Sequence, residues 1–290
     1  MPPGAGDGSR FDTGRQDVTA DRWISGETEA KEYDFRGIAK MHVPICKGIM
    51  RRLGMGPYRY LDLYAGPGHL EFNGRQFLGS PLIMQEILTR HGIEHQAVHF
   101  EKDPEVAARL AEALWVPTSL LDTPGPDSAP IHVEACQDGF PRWLAENGPQ
   151  PRCLGLVYAD PIRDEIPVEL LNQAAKYMPK VDLLSYVSAT QYKRRRLGDF
   201  RRNGRTDKPI LSDHVDAVNK QYGLIRKPEK RTGWQFTFVL WSNWGDIPAW
   251  ESRGFYRLGS ETGKRILDEC DLTRGEQHEK ANTPLWEKGC

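Results

Sequence analysis

Cysteine is sparse and scattered: Cys46, Cys136, Cys153, Cys270 and Cys290 are odd in number and form no CxxC pair. That spacing excludes a disulfide framework and a structural zinc site, and it predicts reduced thiols in a cytoplasmic protein. No stretch approaches the ~18 consecutive apolar residues that a membrane-spanning helix needs, so no membrane partner is expected. Neither sign of charge dominates, the formal net charge of the 290 residues being −1, so no global field marks a nucleic-acid or membrane protein. A phosphate loop of the form G-x-x-x-x-G-K-[ST] is missing, which removes the NTPase reading. Residues 1–21 are rich in Gly, Asp and Arg without the apolar core of a signal peptide, and are expected to be a disordered tail. Residues 273–290 are polar and expected to fray.

What is present is a strand breaking into a glycine turn. Residues 60–64 form an apolar run carrying Asp62, followed at once by Ala65-Gly66-Pro67-Gly68. Small residues there let backbone N–H groups approach a ligand closely. A carboxylate beside such a turn suits an ammonium or hydroxyls better than a pyrophosphate, which points to S-adenosylmethionine as cofactor. The dinucleotide fingerprint is half present, since Glu71 stands where its third glycine belongs. A second strand over 96–100 ends in Glu101-Lys102, where doubly wound folds bind ribose hydroxyls, and Pro104 opens a helix over 105–114.

Alternating strands and helices continue along the chain. A helical lead-in is expected over 29–52, kinked or divided at Pro44, within a segment 22–56 preceding a main domain 57–272. Residues 69–79 read as an elaborated loop, with Ser80 capping a helix over 82–90 behind Pro81. A linker over 117–130 leads to a third strand over 131–135 and a short helix over 140–147. Apolar runs over 154–159 and 181–187 read as strands covered on both faces. Residues 223–226 and 234–241 predict a hairpin, and Ser260 caps a last helix over 261–269. The fold expected is α/β: a Rossmann-like class I methyltransferase, mostly parallel with a C-terminal antiparallel hairpin.

Gln137 and Asp138, just past the third strand, can accept hydrogen bonds from an adenine amino group or form a plain turn. Asp160-Pro161 ends the fourth strand at the switch point, where an acid can orient an acceptor amine. Tyr158 reads as packed within the strand, whereas Tyr186 or Tyr192 could offer a stacking face. No Pro-Cys nucleophile stands there, which removes a cytosine-C5 mechanism, and Cys136 reads as an inert packed thiol. Lys193, Arg194, Arg195, Arg196, Arg201, Arg202, Arg205 and Lys208 follow the fifth strand, joined by Arg226, Lys227, Lys230 and Arg231. Such a block reads as a phosphate-binding patch for DNA or RNA, or as a solvated loop.

These motifs resemble the three-Cys-motif partner family. The shared words are Asp62-Leu-Tyr-Ala-Gly-Pro-Gly68, Gly79-Ser80-Pro81-Leu82, Phe100-Glu101-Lys102-Asp103-Pro104, Ala159-Asp160-Pro161 and Ile166-Pro167, spread over residues 35–270. The resemblance implies a class I methyltransferase-like fold, S-adenosylmethionine as cofactor and a protein partner. Ile162-Arg163 departs from it, since the family more often has an aromatic and a glycine after Asp-Pro. Three functions follow as expectations: a nucleic-acid methyltransferase, a non-catalytic nucleic-acid-binding partner subunit, or a small-molecule methyltransferase.

Overall fold

A computed structural model describes residues 28–115, 130–161, 165–204, 209–231, 234–245, 248–273 and 276. The expected tail 1–21, most of the linker 117–130, and Ile162, Arg163, Arg205, Lys208 and Cys290 lie outside the described residues.

The elements run α1 (Thr28–Leu53), β1 (Tyr58–Asp62), β2 (His69–Phe72), β3 (Arg75–Leu78), α2 (Ser80–Arg90), β4 (His95–Phe100) and α3 (Pro104–Trp115). They continue with β5 (Ile131–His132), α4 (Cys136–Asn147), β6 (Gly155–Ala159), α5 (Val168–Tyr177), β7 (Asp182–Ser188), α6 (Ala189–Asn203) and α7 (Leu211–Asp216). The last are β8 (Tyr222–Arg226), β9 (Glu229–Arg231), β10 (Trp234–Ser242), α8 (Pro248–Glu251), β11 (Phe255–Arg257) and α9 (Glu261–Asp271).

The main sheet has the order β11-β8-β10-β7-β6-β1-β4-β5, with β9 paired to β10. Strands β5, β4, β1, β6 and β7 are parallel, and β10 enters antiparallel between β7 and β8. This is the class I methyltransferase fold: a doubly wound parallel core closed at one edge by an antiparallel hairpin. The apolar runs explain its two covered faces, because successive side chains point to opposite sides of a strand. Leu156, Tyr158 and Leu184 join Phe35, Ile38, Ile83 and Ile87 on the face of α1 and α2. Val157, Leu183 and Val187 join Phe140, Trp143, Leu171 and Trp241 on the other.

Several boundaries differ from expectation. Residues 69–79 are no open loop but the hairpin β2–β3, turning at Asn73 (φ 51°) and Gly74 (φ 70°). Positive φ at both positions is what a two-residue hairpin turn requires, so Asn-Gly was a signal in the sequence. The third strand is only two residues long, and β11 lies beyond the predicted hairpin. Helix α1 runs unbroken through Pro44. A proline inside a helix costs ~3 kcal/mol, here offset by packing on both sides of it, with Phe35, Ile38, Ala39 and Val43 before and Cys46 after all buried.

Polar contacts tie α1 to the sheet. Asp34 pairs with Arg226 of β8, and His42 sits 3.1 Å from the Asp182 carboxylate and 2.8 Å from the Tyr58 hydroxyl. Burial works against charge on His42, but the Cys46 sulfur and the Asp182 carboxylate outweigh it and push its pKa up to about 10. A pKa above the unfolded value means the pairing stabilises fully below pH about 6.5 and is lost as pH rises through about 10. Lys220, pulled down to about 8 by burial, acts in the opposite sense above that pH. Melting temperatures should therefore fall between pH 6.5 and 8, and His42→Gln should flatten that slope. An equal slope in both proteins would remove the His42–Asp182 pairing as its source.

Candidate active site

The carboxyl ends of β1, β4, β5 and β6 open onto a cleft of about 490 Å³. A parallel sheet leaves its crevice there because the connections on either side of the switch point run to opposite faces. Of the residues predicted to hold a cofactor, Ala65, Gly66, Pro67, Glu101, Lys102 and Gln137 line it, and Asp160 stands at the end next to β6.

The glycine turn is held by the acid of the neighbouring strand. Glu101, only 5% exposed, accepts the Gly66 N–H at 3.1 Å through one carboxylate oxygen and the Asp103 N–H at 3.0 Å through the other. Each oxygen keeps a lone pair for a ligand hydroxyl. Gly66 has φ +66°, and a Cβ added there would meet no protein atom within 4 Å. Its freedom serves backbone shape and access. Gly68 (φ +77°) serves packing instead: a Cβ would lie 3.0 Å from Ala113 and 3.1 Å from Leu110, outside the cleft.

Asp62 is fully buried under the turn and does not line the cleft. Its carboxylate accepts from the Ser80 hydroxyl (2.5 Å), the Tyr60 hydroxyl (2.7 Å) and the Tyr64 N–H (3.2 Å). Burial pushes its pKa up to about 6, partly countered by the Ser80, Tyr60 and Tyr64 hydrogen bonds, with Asp160 raising it further. Ser80 consequently makes no side-chain cap on α2, where Gly79 holds the capping position. Its hydroxyl relays Asp62 to the cleft wall, which Ser80 lines.

Gln137 and Asp138 belong to the first turn of α4, not to a turn before it. Gln137 lines the cleft, its amide 3.5 Å from the Tyr64 hydroxyl. Asp138 is exposed and outside the cleft lining, placed where an acid complements the helix N-terminus. The acid on that wall is Glu134, paired with Arg142. Cys136 is buried and contributes to the cleft lining.

At the far end Asp160 is 14% exposed in its side chain and forms an ion pair with Lys31 of α1. Its other oxygen, Oδ1, is buried without a hydrogen-bond partner. Pro161 is buried and outside the lining, so it stiffens the chain after Asp160 without touching a ligand. Tyr158 is buried in the strand against Phe35, at 4.4 Å between ring centroids. Tyr186 and Tyr192 are buried too, and Tyr192 accepts the Ile166 N–H and meets His214 at 2.7 Å. Neither tyrosine offers a free stacking face. Thr28, Lys31, Glu32 and Phe35 of α1 also line the cleft. Sequence reading missed them because only tertiary packing lays α1 over the sheet.

Residues 193–202 of the basic block lie in helix α6, which follows β7 directly. Lys193, Arg195 and Arg196 are among its residues engaged with other parts of the chain. Lys193 donates to the Gln235 side chain and the Glu269 carbonyl, Arg195 pairs with Glu165, and Arg196 binds the Asp271 carbonyl and Glu276. Arg226 is likewise spent on Asp34. Arg194, Arg201 and Arg202 are exposed beside Leu197 and Phe200, which are 43% and 57% exposed. Among the described residues no helix is long and apolar enough to cross a membrane, and no cluster of metal-ligating side chains occurs.

No family model matches the chain, and no curated protein matches it. Among solved structures, a Legionella pneumophila protein is similar at 13% identity, over 76% of this chain and 89% of its own, with a TM-score of 0.47. The plantazolicin methyltransferase in complex with SAH is 9% identical over 75% of this chain and 88% of its own, with a TM-score of 0.41. Magnesium protoporphyrin IX methyltransferase from Synechocystis PCC 6803, with bound SAM, is 7% identical over 78% and 87%, with a TM-score of 0.40.

Proposed function

We propose that this chain is an S-adenosylmethionine-dependent methyltransferase acting on nucleic acid. The observation carrying this reading is the glycine turn pinned by Glu101 at the mouth of the cleft. Glu101 fits ribose hydroxyls, Gln137 and Glu134 fit the polar edge of an adenine, and Ser80 backed by Asp62 fits an amino-acid end. Bound there, the cofactor would supply an electrophilic sulfonium methyl. The chain's own part is then to position and desolvate, so few catalytic residues are needed. Asp160 accepts a hydrogen bond from the acceptor group and aims its lone pair. Membership of the three-Cys-motif partner family belongs to the same proposal, resting on the shared words around Asp62, Ser80, Glu101 and Asp160.

Calorimetry should detect binding of S-adenosylmethionine or its demethylated product and none of NADH. Binding of NADH alone would end the methyltransferase reading.

Nucleic acid as substrate is supported by the exposed face of α6. Replacing Arg194, Arg201 and Arg202 together by alanine should lower the slope of log affinity against log salt by about 2 to 3, at roughly 0.7–0.9 per lost phosphate contact. Lys193→Ala should leave that slope in place, its ammonium being held by the chain itself. An unchanged slope in the triple variant would make α6 a merely solvated helix. A non-catalytic partner subunit is the second reading. The Lys31 ion pair favours it, because it occupies the acid that an acceptor would use.

A further inference from the structure

Six acidic side chains line the cleft (Glu32, Glu101, Asp103, Glu105, Glu134 and Asp160), against two cations among the described residues, Lys31 and Lys102. Among the described residues these two are the lining cations that a ligand carboxylate could pair with, and an unpaired carboxylate among acids is strongly disfavoured. Sheet order decides which. Along β5-β4-β1-β6 the cleft presents Gln137 after β5, Glu101 after β4, the glycine turn after β1 and Asp160 after β6. A base and ribose at the first two positions direct an amino-acid end toward the last two. Lys102 follows Glu101 on the ribose side, whereas Lys31 faces Asp160.

Lys31 is also placed to move. It lies in the first turn of α1, its side chain is 28% exposed, and its ammonium sits 4.3 Å from the centroid of the Tyr186 ring. A long flexible stem lets the ammonium change partners while the helix stays still. Asp160, by contrast, is fixed at a strand end with one oxygen already orphaned. Losing Lys31 would leave that carboxylate in want of a donor, which an acceptor amine supplies.

We propose that Lys31 is an exchanged countercharge: paired with Asp160 before cofactor binds, it turns to the cofactor's α-carboxylate and releases Asp160 to the acceptor. Cofactor would then bind before acceptor, and Asp160 would compete with the cofactor for Lys31. This rests on the cofactor reading above. The test compares S-adenosylmethionine with decarboxylated S-adenosylmethionine by calorimetry on the full chain. Lys31→Met should weaken the carboxylate-bearing ligand about 10-fold or more, the usual worth of a charged hydrogen bond, and leave the decarboxylated one within about twofold. Asp160→Asn should tighten the former about threefold or more and leave the latter unchanged. Equal loss of both ligands in Lys31→Met would show a shaping role and overturn the exchange, as would unchanged affinity or no tightening in Asp160→Asn. Should the unaltered protein bind neither ligand, the cofactor reading itself falls, and the exchange with it.

Discussion

Glu101→Ala should weaken cofactor binding by about 100-fold or more. The change removes two things at once. It takes away the buried carboxylate proposed to accept the ribose hydroxyls, each charged hydrogen bond being worth about 1.5–3 kcal/mol. It also leaves the Gly66 and Asp103 N–H groups without their partner, so the turn that frames the cleft loses its tie to β4. Glu101→Gln separates the two effects. Its amide oxygen can hold one N–H, so the turn stays largely in place while acceptor capacity falls. The glutamine protein should bind with intermediate affinity and melt close to the unaltered chain. The alanine protein should also melt lower, by an amount matching about 1–3 kcal/mol for each N–H left unpaired. Calorimetry beside a melting curve reads both quantities. Cofactor affinity within about threefold of normal in a folded Glu101→Ala protein would disprove the ribose role.

Asp160→Ala should lower single-turnover methyl transfer by about 100-fold or more without loss of cofactor affinity. Asp160 stands at the end of β6 with one oxygen engaged by Lys31 and the other unpartnered. If it served only to anchor α1 through Lys31, alanine would cost stability and leave the rate per folded molecule intact. Asp160→Asn should keep part of the rate, because its amide oxygen still accepts a hydrogen bond. Full turnover in a well-folded Asp160→Ala protein would sink the catalytic assignment.

The sheet was largely legible because its strands are near-continuous apolar runs ending in chemistry-bearing residues. Leu61, Val157 and Leu183 fall on one face and Tyr60, Tyr158 and Leu184 on the other. That pattern marks buried parallel strands without reference to long-range contacts. The last helix was equally local: Ser260 accepts the Gly263 N–H as a cap should. Ser80 shows where the same rule misleads. Serine before proline reads as a cap, yet a buried carboxylate 18 residues earlier in the chain offers its hydroxyl a stronger partner than the helix end does. Charge counts misled similarly at α6, where Lys193 and Arg196 are turned inward onto Glu269 and Asp271 carbonyls that only folding brings near.

The sequence by itself determined the strand order's raw material, the glycine turn, and the acids at the ends of β4 and β6, since these depend on neighbours a few residues apart. Tertiary structure alone decided which groups face the cleft. Asp62 was drawn beneath the turn by Tyr60 and Ser80, Asp138 was turned outward by the first turn of α4, and Lys31 was carried to Asp160. The reason is physical: a side chain's partner is set by the packing of α1 across the sheet, and such a contact between residues 31 and 160 leaves no periodicity to read.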